Sequence, residues 1–194
     1  MVKKLIVALI FIFQITPAQA APIYVFPVAG CAVDYARAHH DYAATDILTK
    51  AGCKFVAPID GVVDEVNRVD LWSGKTNLGI DRGGLYVSII GVDGVRYYGS
   101  HLRSIPASIQ PGVDVKAGQL LGAVGATGSA KGTHPHLHFA ISWPTAADTW
   151  WVRRGEVLPW KYLDAWKHGK DLSPVKEVDA RKAKVGEIPP IPKK

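Results

Sequence analysis

The segment His136-Leu137-His138-Phe139-Ala140-Ile141-Ser142 decides how this chain is read. It follows His134-Pro135, so three imidazoles stand at two-residue intervals ahead of an apolar run. In a β-strand, residues i and i+2 point to the same face. A strand here sets His136 and His138 side by side, with Leu137 and Phe139 packing on the opposite face. Such imidazoles lie roughly 6–7 Å apart along the strand, so one can hold a metal while the other handles a proton. A bare His-x-His also fits two hydrogen-bonded surface histidines, and the rest of the chain has to choose.

Outward from that strand, short β-prone runs alternate with glycine-rich turns. Strands are expected at 54–57, 61–69, 85–90, 95–99, 120–124 and 136–142. Asp93-Gly94 between two of them is a hairpin signal, and the glycine-rich stretch 125–132 feeds the histidine strand. One helix is expected at 159–168, where proline suits the first turn and Trp160, Leu163 and Trp166 recur at helical spacing. The fold class is therefore mostly β. It is a small antiparallel sheet or sandwich-like domain with glycine-rich turns and a short C-terminal helix. Between strand and helix, Trp143, Trp150-Trp151 and Arg153-Arg154 read either as an aromatic cover over the sheet or as one wall of a substrate groove.

The ends set the compartment. Lys3 and Lys4 precede nine apolar residues, 5–13, and Ala18-Gln19-Ala20 gives an A-x-A cleavage site, so residues 1–20 read as a secretory signal. Nine apolar residues are too few to span a bilayer in a helix, which takes about 20, and no later segment is longer. The mature chain is expected to start at Ala21 and be exported, periplasmic or extracellular, with no transmembrane segment. Of the 194 residues, those that remain suffice for one domain with its own core. The formal net charge of +6 includes the two leader lysines. Much of the rest sits in residues 170–194, a Lys/Pro-rich stretch expected to be a flexible, solvated tail. A nucleic-acid partner is not expected, because such binders cluster charge on folded elements; a monomer is expected. The only cysteines, Cys31 and Cys53, form an even pair, which in an exported chain favours a disulfide. A 22-residue separation would contribute about 3 kcal/mol. Val28-Ala29-Gly30-Cys31 also resembles a lipobox, although it stands far from the apolar run.

A metal site can be assembled around His138. His39, His40 and Asp46 lie upstream, and His101 follows the strand at 95–99. One His, one Asp and a second His leave a fourth zinc position open, as catalytic sites do. The motifs stand in an order that resembles the lysostaphin/LytM-type zinc metalloendopeptidases, bacterial peptidoglycan hydrolases. They are a His…Asp pair leading into Ala57-Pro58-Ile59-Asp60-Gly61-Val62-Val63, then Tyr98-Gly99-Ser100-His101-Leu102. Val115 to Gly122, Val124 to Ser129 and His136-Leu137-His138-Phe139 follow. The resemblance covers about residues 39–142 and implies a peptidase domain over 21–169. It implies His40, Asp46 and His138 as ligands of Zn2+, and His101 and His136 as catalytic histidines. The activity implied is hydrolysis of peptide cross-links in peptidoglycan by a metal-activated water. His136 would take the proton, and His101 would orient the water or stabilise the oxyanion.

The chain departs from the family pattern in several places. The family spaces its first His and Asp as His-x3-Asp, whereas His40 and Asp46 are two residues further apart, and His39 can substitute. Ala140 stands where the family commonly has Glu, and Leu85 where many members carry Asn. His134 is extra and is expected to be exposed or to support its neighbours. Two other classes compete. Silent members of the family activate other wall hydrolases, but they lack the ligand residues retained here. Val115 to Gly122 also resembles a biotinyl-carrier turn, though Lys116 precedes a strand rather than crowning a tip.

Overall fold

A computed structural model describes residues 23–191; the expected secretory signal lies outside them. In chain order the strands are β1 (Val28–Ala29), β2 (Asp34–Tyr35), β3 (Thr45–Leu48), β4 (Lys54–Val56), β5 (Gly61–Asn67), β6 (Leu85–Gly91), β7 (Arg96–Ser104), β8 (Asp114–Val115), β9 (Leu120–Val124) and β10 (His136–Ser142). Three helices follow, α1 (Trp150–Arg153), α2 (Trp160–Lys167) and α3 (Val175–Val185). All strand pairs are antiparallel, in the order β1-β4-β9-β7-β10-β3-β2, with β6 also on β7, β5 on β6 and β8 on β5. The mostly β fold, its antiparallel sheet and its helices near the C-terminus agree with the expectation.

Pattern explains the sheet. Along β10, Leu137, Phe139 and Ile141 are fully buried in the core, leaving His136 and His138 on the opposite face. The β6–β7 hairpin turns at Asp93-Gly94, where Gly94 takes φ 77°. The Asp93 carboxylate accepts from the Val95 amide and from the hydroxyls of Tyr24 and Tyr97. Under the sheet, Trp166 of α2 stacks on Tyr24 with ring centroids 5.2 Å apart and meets Tyr97 and Phe139 edge-on. Truncating a side chain so packed costs about 3–5 kcal/mol. Gly99 is required here, because a Cβ on it would stand 2.5 Å from the Phe55 ring.

Two expectations change. β7 runs on past residue 99 to Ser104 and takes His101 into the sheet. The tail of 170–194 forms, through residue 191, a helix and a docked return rather than a solvated extension. Val178 of α3 is buried, and Tyr162 donates to Glu177. The indoles of Trp143 and Trp151 donate to the carbonyls of Glu187 and Pro189. Counting lysines and prolines hid this, because the attachment runs through backbone carbonyls and one apolar stripe. Those two tryptophans therefore serve as cover. Cys31 and Cys53 are joined in a disulfide, which commits the Cys31 sulfur and brackets the segment carrying His39 and Asp46. Among the described residues, no helix is long and apolar enough to cross a membrane.

Candidate active site

The site forms where β3, β7 and β10 present their second face. The register sets Asp46 opposite His138 and Ser100 opposite His138 from the other side. Asp46 Oδ1 lies 2.9 Å from His138 Nδ1 and 4.0 Å from His136 Nε2. Burial alone would raise the Asp46 pKa, but the hydrogen bond to His138 and the charges of His138, His136 and His39 together hold it well below the usual carboxylate range.

His101 reaches the same place by a different route. On a regular strand it would alternate with Ser100 and point into the core with Tyr97 and Gly99. Instead β7 carries one extra residue: Leu85 pairs with Leu102, but Val87 pairs with Gly99. Such a bulge re-aims side chains, and His101 sits in it at φ 64°, a left-handed conformation unusual for a non-glycine. Its ring is turned to within 4.9 Å of that of His136 and 5.9 Å of that of His138, centroid to centroid. Backbone strain of this kind concentrates at functional sites. Thr127 fixes the ring. Its carbonyl accepts from His101 Nδ1 at 2.8 Å, and its hydroxyl donates to the Leu102 carbonyl while accepting from the Leu85 amide. Burial, then the neighbouring His138 and His136, lower the His101 pKa to about 3, so the ring is neutral.

His136 is oriented the same way, with Nδ1 donating to the His134 carbonyl at 2.8 Å. A carbonyl only accepts, so both rings hold a proton on Nδ1, and neither Nε2 has a hydrogen bond among the described residues. The exposed His134 side chain does not enter this; its backbone does. His138 Nε2 faces the Tyr42 hydroxyl at 3.3 Å and the Arg154 carbonyl at 3.4 Å. His138 Nδ1 donates to the Asp46 carboxylate; with a proton kept on Nε2 by the Arg154 carbonyl, Nδ1 would yield its own to a metal shared with Asp46.

Two adjacent histidines compete for the remaining ligand place. His40, the expected ligand, has a side chain 74% exposed, with Nδ1 3.3 Å from Asp41. The His39 side chain is only 4% exposed; its Nε2 is 3.8 Å from Asp46 Oδ2 and its ring 5.1 Å from that of His138. Its Nδ1 is buried without a hydrogen-bond partner. Burial, then His138, lower its pKa to about 4, which leaves a neutral imidazole able to ligate. His39, His40 and Asp46 each have a donor atom within 4.8 Å of the others'. The donor set of imidazoles, one carboxylate and an orphaned buried nitrogen fits zinc.

A cleft of about 360 Å³ opens over these side chains, with Arg82 and Arg154 on its wall. Tyr42, Arg82 and Arg154 were not singled out as site residues from sequence. The Arg153-Arg154 pair beside the tryptophans carried a signal for a groove wall; Trp150, its ring centroid 4.6 Å from the Arg154 guanidinium, lines the neighbouring pocket. Nothing in the sequence pattern marks Tyr42. Ala140, replacing the family's Glu, is buried against Gly155, where φ is 138° and a Cβ would stand 3.1 Å from that of Ala140. A longer side chain at 140 would push this backbone, and the Arg154 carbonyl beside it, away from His138. Leu85 contributes its amide to Thr127 rather than a polar side chain.

The family model of Peptidase family M23 matches residues 40–149. Among solved structures, the chain is similar to the catalytic domain of the antimicrobial peptidase lysostaphin from Staphylococcus simulans. Identity there is 24% and the TM-score 0.51, over 68% of this chain and 92% of that one. A second structure of the antimicrobial peptidase lysostaphin from the same organism gives 26% identity and a TM-score of 0.52, over 74% of this chain and 53% of that one. A Ruminococcus gnavus protein that carries the name glycyl-glycine endopeptidase lytM gives 23% and 0.56, over 77% and 62%. No curated protein sequence matches the chain.

Proposed function

Because the chain belongs to peptidase family M23, we propose that it is an exported, zinc-dependent endopeptidase that hydrolyses peptide cross-links of bacterial peptidoglycan. The observation that carries this reading is the convergence of His39, Asp46 and His138 beside His101 and His136, each held through Nδ1 by a backbone carbonyl. In this proposal Asp46 and His138 are metal ligands, and His39, rather than the His40 expected from spacing, takes the first histidine place. When bound, zinc would lower the pKa of a water toward about 7 and polarise the scissile carbonyl.

The chain's own residues do the remaining work. His136 accepts the proton of the attacking water at Nε2, held in position by the His134 carbonyl. His101 is neutral with its only N–H committed to Thr127, so it cannot donate to an oxyanion. Of the two roles open to it, this leaves the positioning one: it accepts a hydrogen bond at Nε2 and orients the water. Imidazole suits proton transfer because its ordinary pKa lies near neutral pH. The disulfide fits an oxidising, extracytoplasmic compartment.

The test is to purify the chain from Ala21 onward, measure bound zinc, and follow wall digestion with and without chelator. One zinc per chain and chelator-sensitive release of peptide fragments is the expected result. Absence of both defeats the proposal and leaves the silent-activator reading. His39→Ala is expected to lose zinc and His40→Ala to retain it; the reverse returns the ligand place to His40.

A further inference from the structure

We propose that Arg82 and Arg154 form a carboxylate clamp in the cleft, a specificity element that engages an anionic group of the bound peptide. This rests on the peptidase reading for the identity of the ligand, but not for the clamp itself. Four arginines, Arg82, Arg96, Arg153 and Arg154, line the cleft and the pocket beside it, and they differ in one respect. Arg96 and Arg153 are saturated: both pair with Asp64 at 2.7 Å and with Glu65 at 3.2 and 2.7 Å. Arg82 and Arg154 make no ion pair among the described residues. Arg82 is held through Nε, which donates to Asn77 Oδ1 at 3.0 Å, so the terminal nitrogens of its fork remain available. Arg154 lies over the rings of Tyr42 and Trp150, 4.3 and 4.6 Å from their centroids, and its Nε is buried without a partner.

Both guanidinium groups therefore line a cleft whose carboxylates are already engaged. Asp46 is held by histidines and Asp41 stands against His40. Two like charges kept close, one of them partly desolvated, gain most from an anion between them. Stacking on two aromatic rings preorganises the planar fork, which pairs with a carboxylate through two parallel hydrogen bonds. The clamp is tied to the catalytic end, because the Arg154 carbonyl and the Tyr42 hydroxyl both face His138. A peptide anchored by a carboxylate would thus be placed in register with the histidines. The carboxylate has two sources in a wall peptide, its C-terminus and its internal acidic groups.

The experiment uses a stem tetrapeptide in three forms: the free acid, the C-terminal amide, and the form with internal carboxyls amidated. Binding of each to the zinc-loaded protein is measured by calorimetry. The free acid is expected to bind at least about tenfold more tightly than one amidated form, the scale of a charge-assisted pair. Whichever amidation weakens binding names the source. In Arg82→Gln/Arg154→Gln the acid and amide forms should bind alike, with zinc content and unfolding midpoint unchanged. Should that variant fold poorly, Arg82→Gln alone should reduce the preference while Arg154→Lys retains part of it. Equal binding of all three forms by the wild type, no binding of the free acid, or an undiminished preference in the variants overturns the clamp. A protein that prefers the acid but cleaves nothing defeats the peptidase reading and leaves the clamp. Chelator-sensitive wall cleavage without a charge preference defeats the clamp alone.

Discussion

Two clusters of charge share one face of the sheet, and they are built on opposite plans. Around Asp64 and Glu65, two buried arginines, Ser88 and Tyr86 satisfy the carboxylates from several sides, and the Arg96 side chain is fully buried. Around Asp46, the partners are imidazoles, His138 at 2.9 Å, His39 at 3.8 Å and His136 at 4.0 Å, and one buried nitrogen, on His39, has no partner. The first cluster is closed and holds the helix α1 against the sheet. The second is incomplete by the same hydrogen-bond accounting that the first fulfils. A polar group left open beside a saturated one marks where a ligand belongs.

Substitutions can break this contrast. The largest effect is expected from His138→Ala, which should lose bound zinc and reduce wall cleavage by at least about 100-fold while the chain still folds; zinc analysis and circular dichroism read the two outcomes. Next, Arg96→Ala leaves Asp64 and Glu65 partly uncompensated and should cost about 3–5 kcal/mol in urea unfolding, with zinc stoichiometry of the folded fraction unchanged. If instead His138→Ala unfolds the protein and Arg96→Ala is neutral, the roles of the clusters are reversed.

Acidification should separate them further. His39 and His101 have folded pKa values of about 4 and about 3, below the ordinary histidine value of 6.5. A depressed histidine pKa means that the unfolded chain binds more protons between those values. The stability of the metal-free protein is then fully present above about pH 6.5 and falls as pH drops toward 4, by about 1–3 kcal/mol. Urea midpoints at pH 7 and pH 4.5 check this. The smallest effect is expected from His134→Ala, because the carbonyl rather than the ring supports His136. Cleavage should change by less than about twofold, on the scale of an exposed substitution, and a large loss would give the side chain a role.

The parts of this molecule differ in how openly the sequence declares them. β10 was legible, since Leu137, Phe139 and Ile141 alternate with the histidines and alternation fixes a face. The C-terminal helix was legible for a similar reason of period: Trp160, Leu163 and Trp166 recur at helical spacing, and Leu163 and Trp166, with Tyr162, are the buried residues of α2. The approach of His101 was not legible, because a bulge is a property of two paired strands and neither strand shows it alone. His39 and His40 differ in which ring is buried, and adjacent identical residues carry no pattern to foretell that. α3 was masked by its composition, with only Val178 fully buried among polar neighbours.

The bulge at His101 also has a consequence for chain length. It works as a phase shift in β7: before it, even-numbered residues face the cleft, and from residue 101 onward the parity is reversed. Removing a single residue between Gly99 and Leu102 would restore the regular beat. If Ser100 is the residue removed, His101 takes its place in the alternation and keeps the cleft face, and Leu102 keeps the core face. In a related chain without the extra residue, a histidine one place after the glycine, rather than two, is therefore the counterpart of His101.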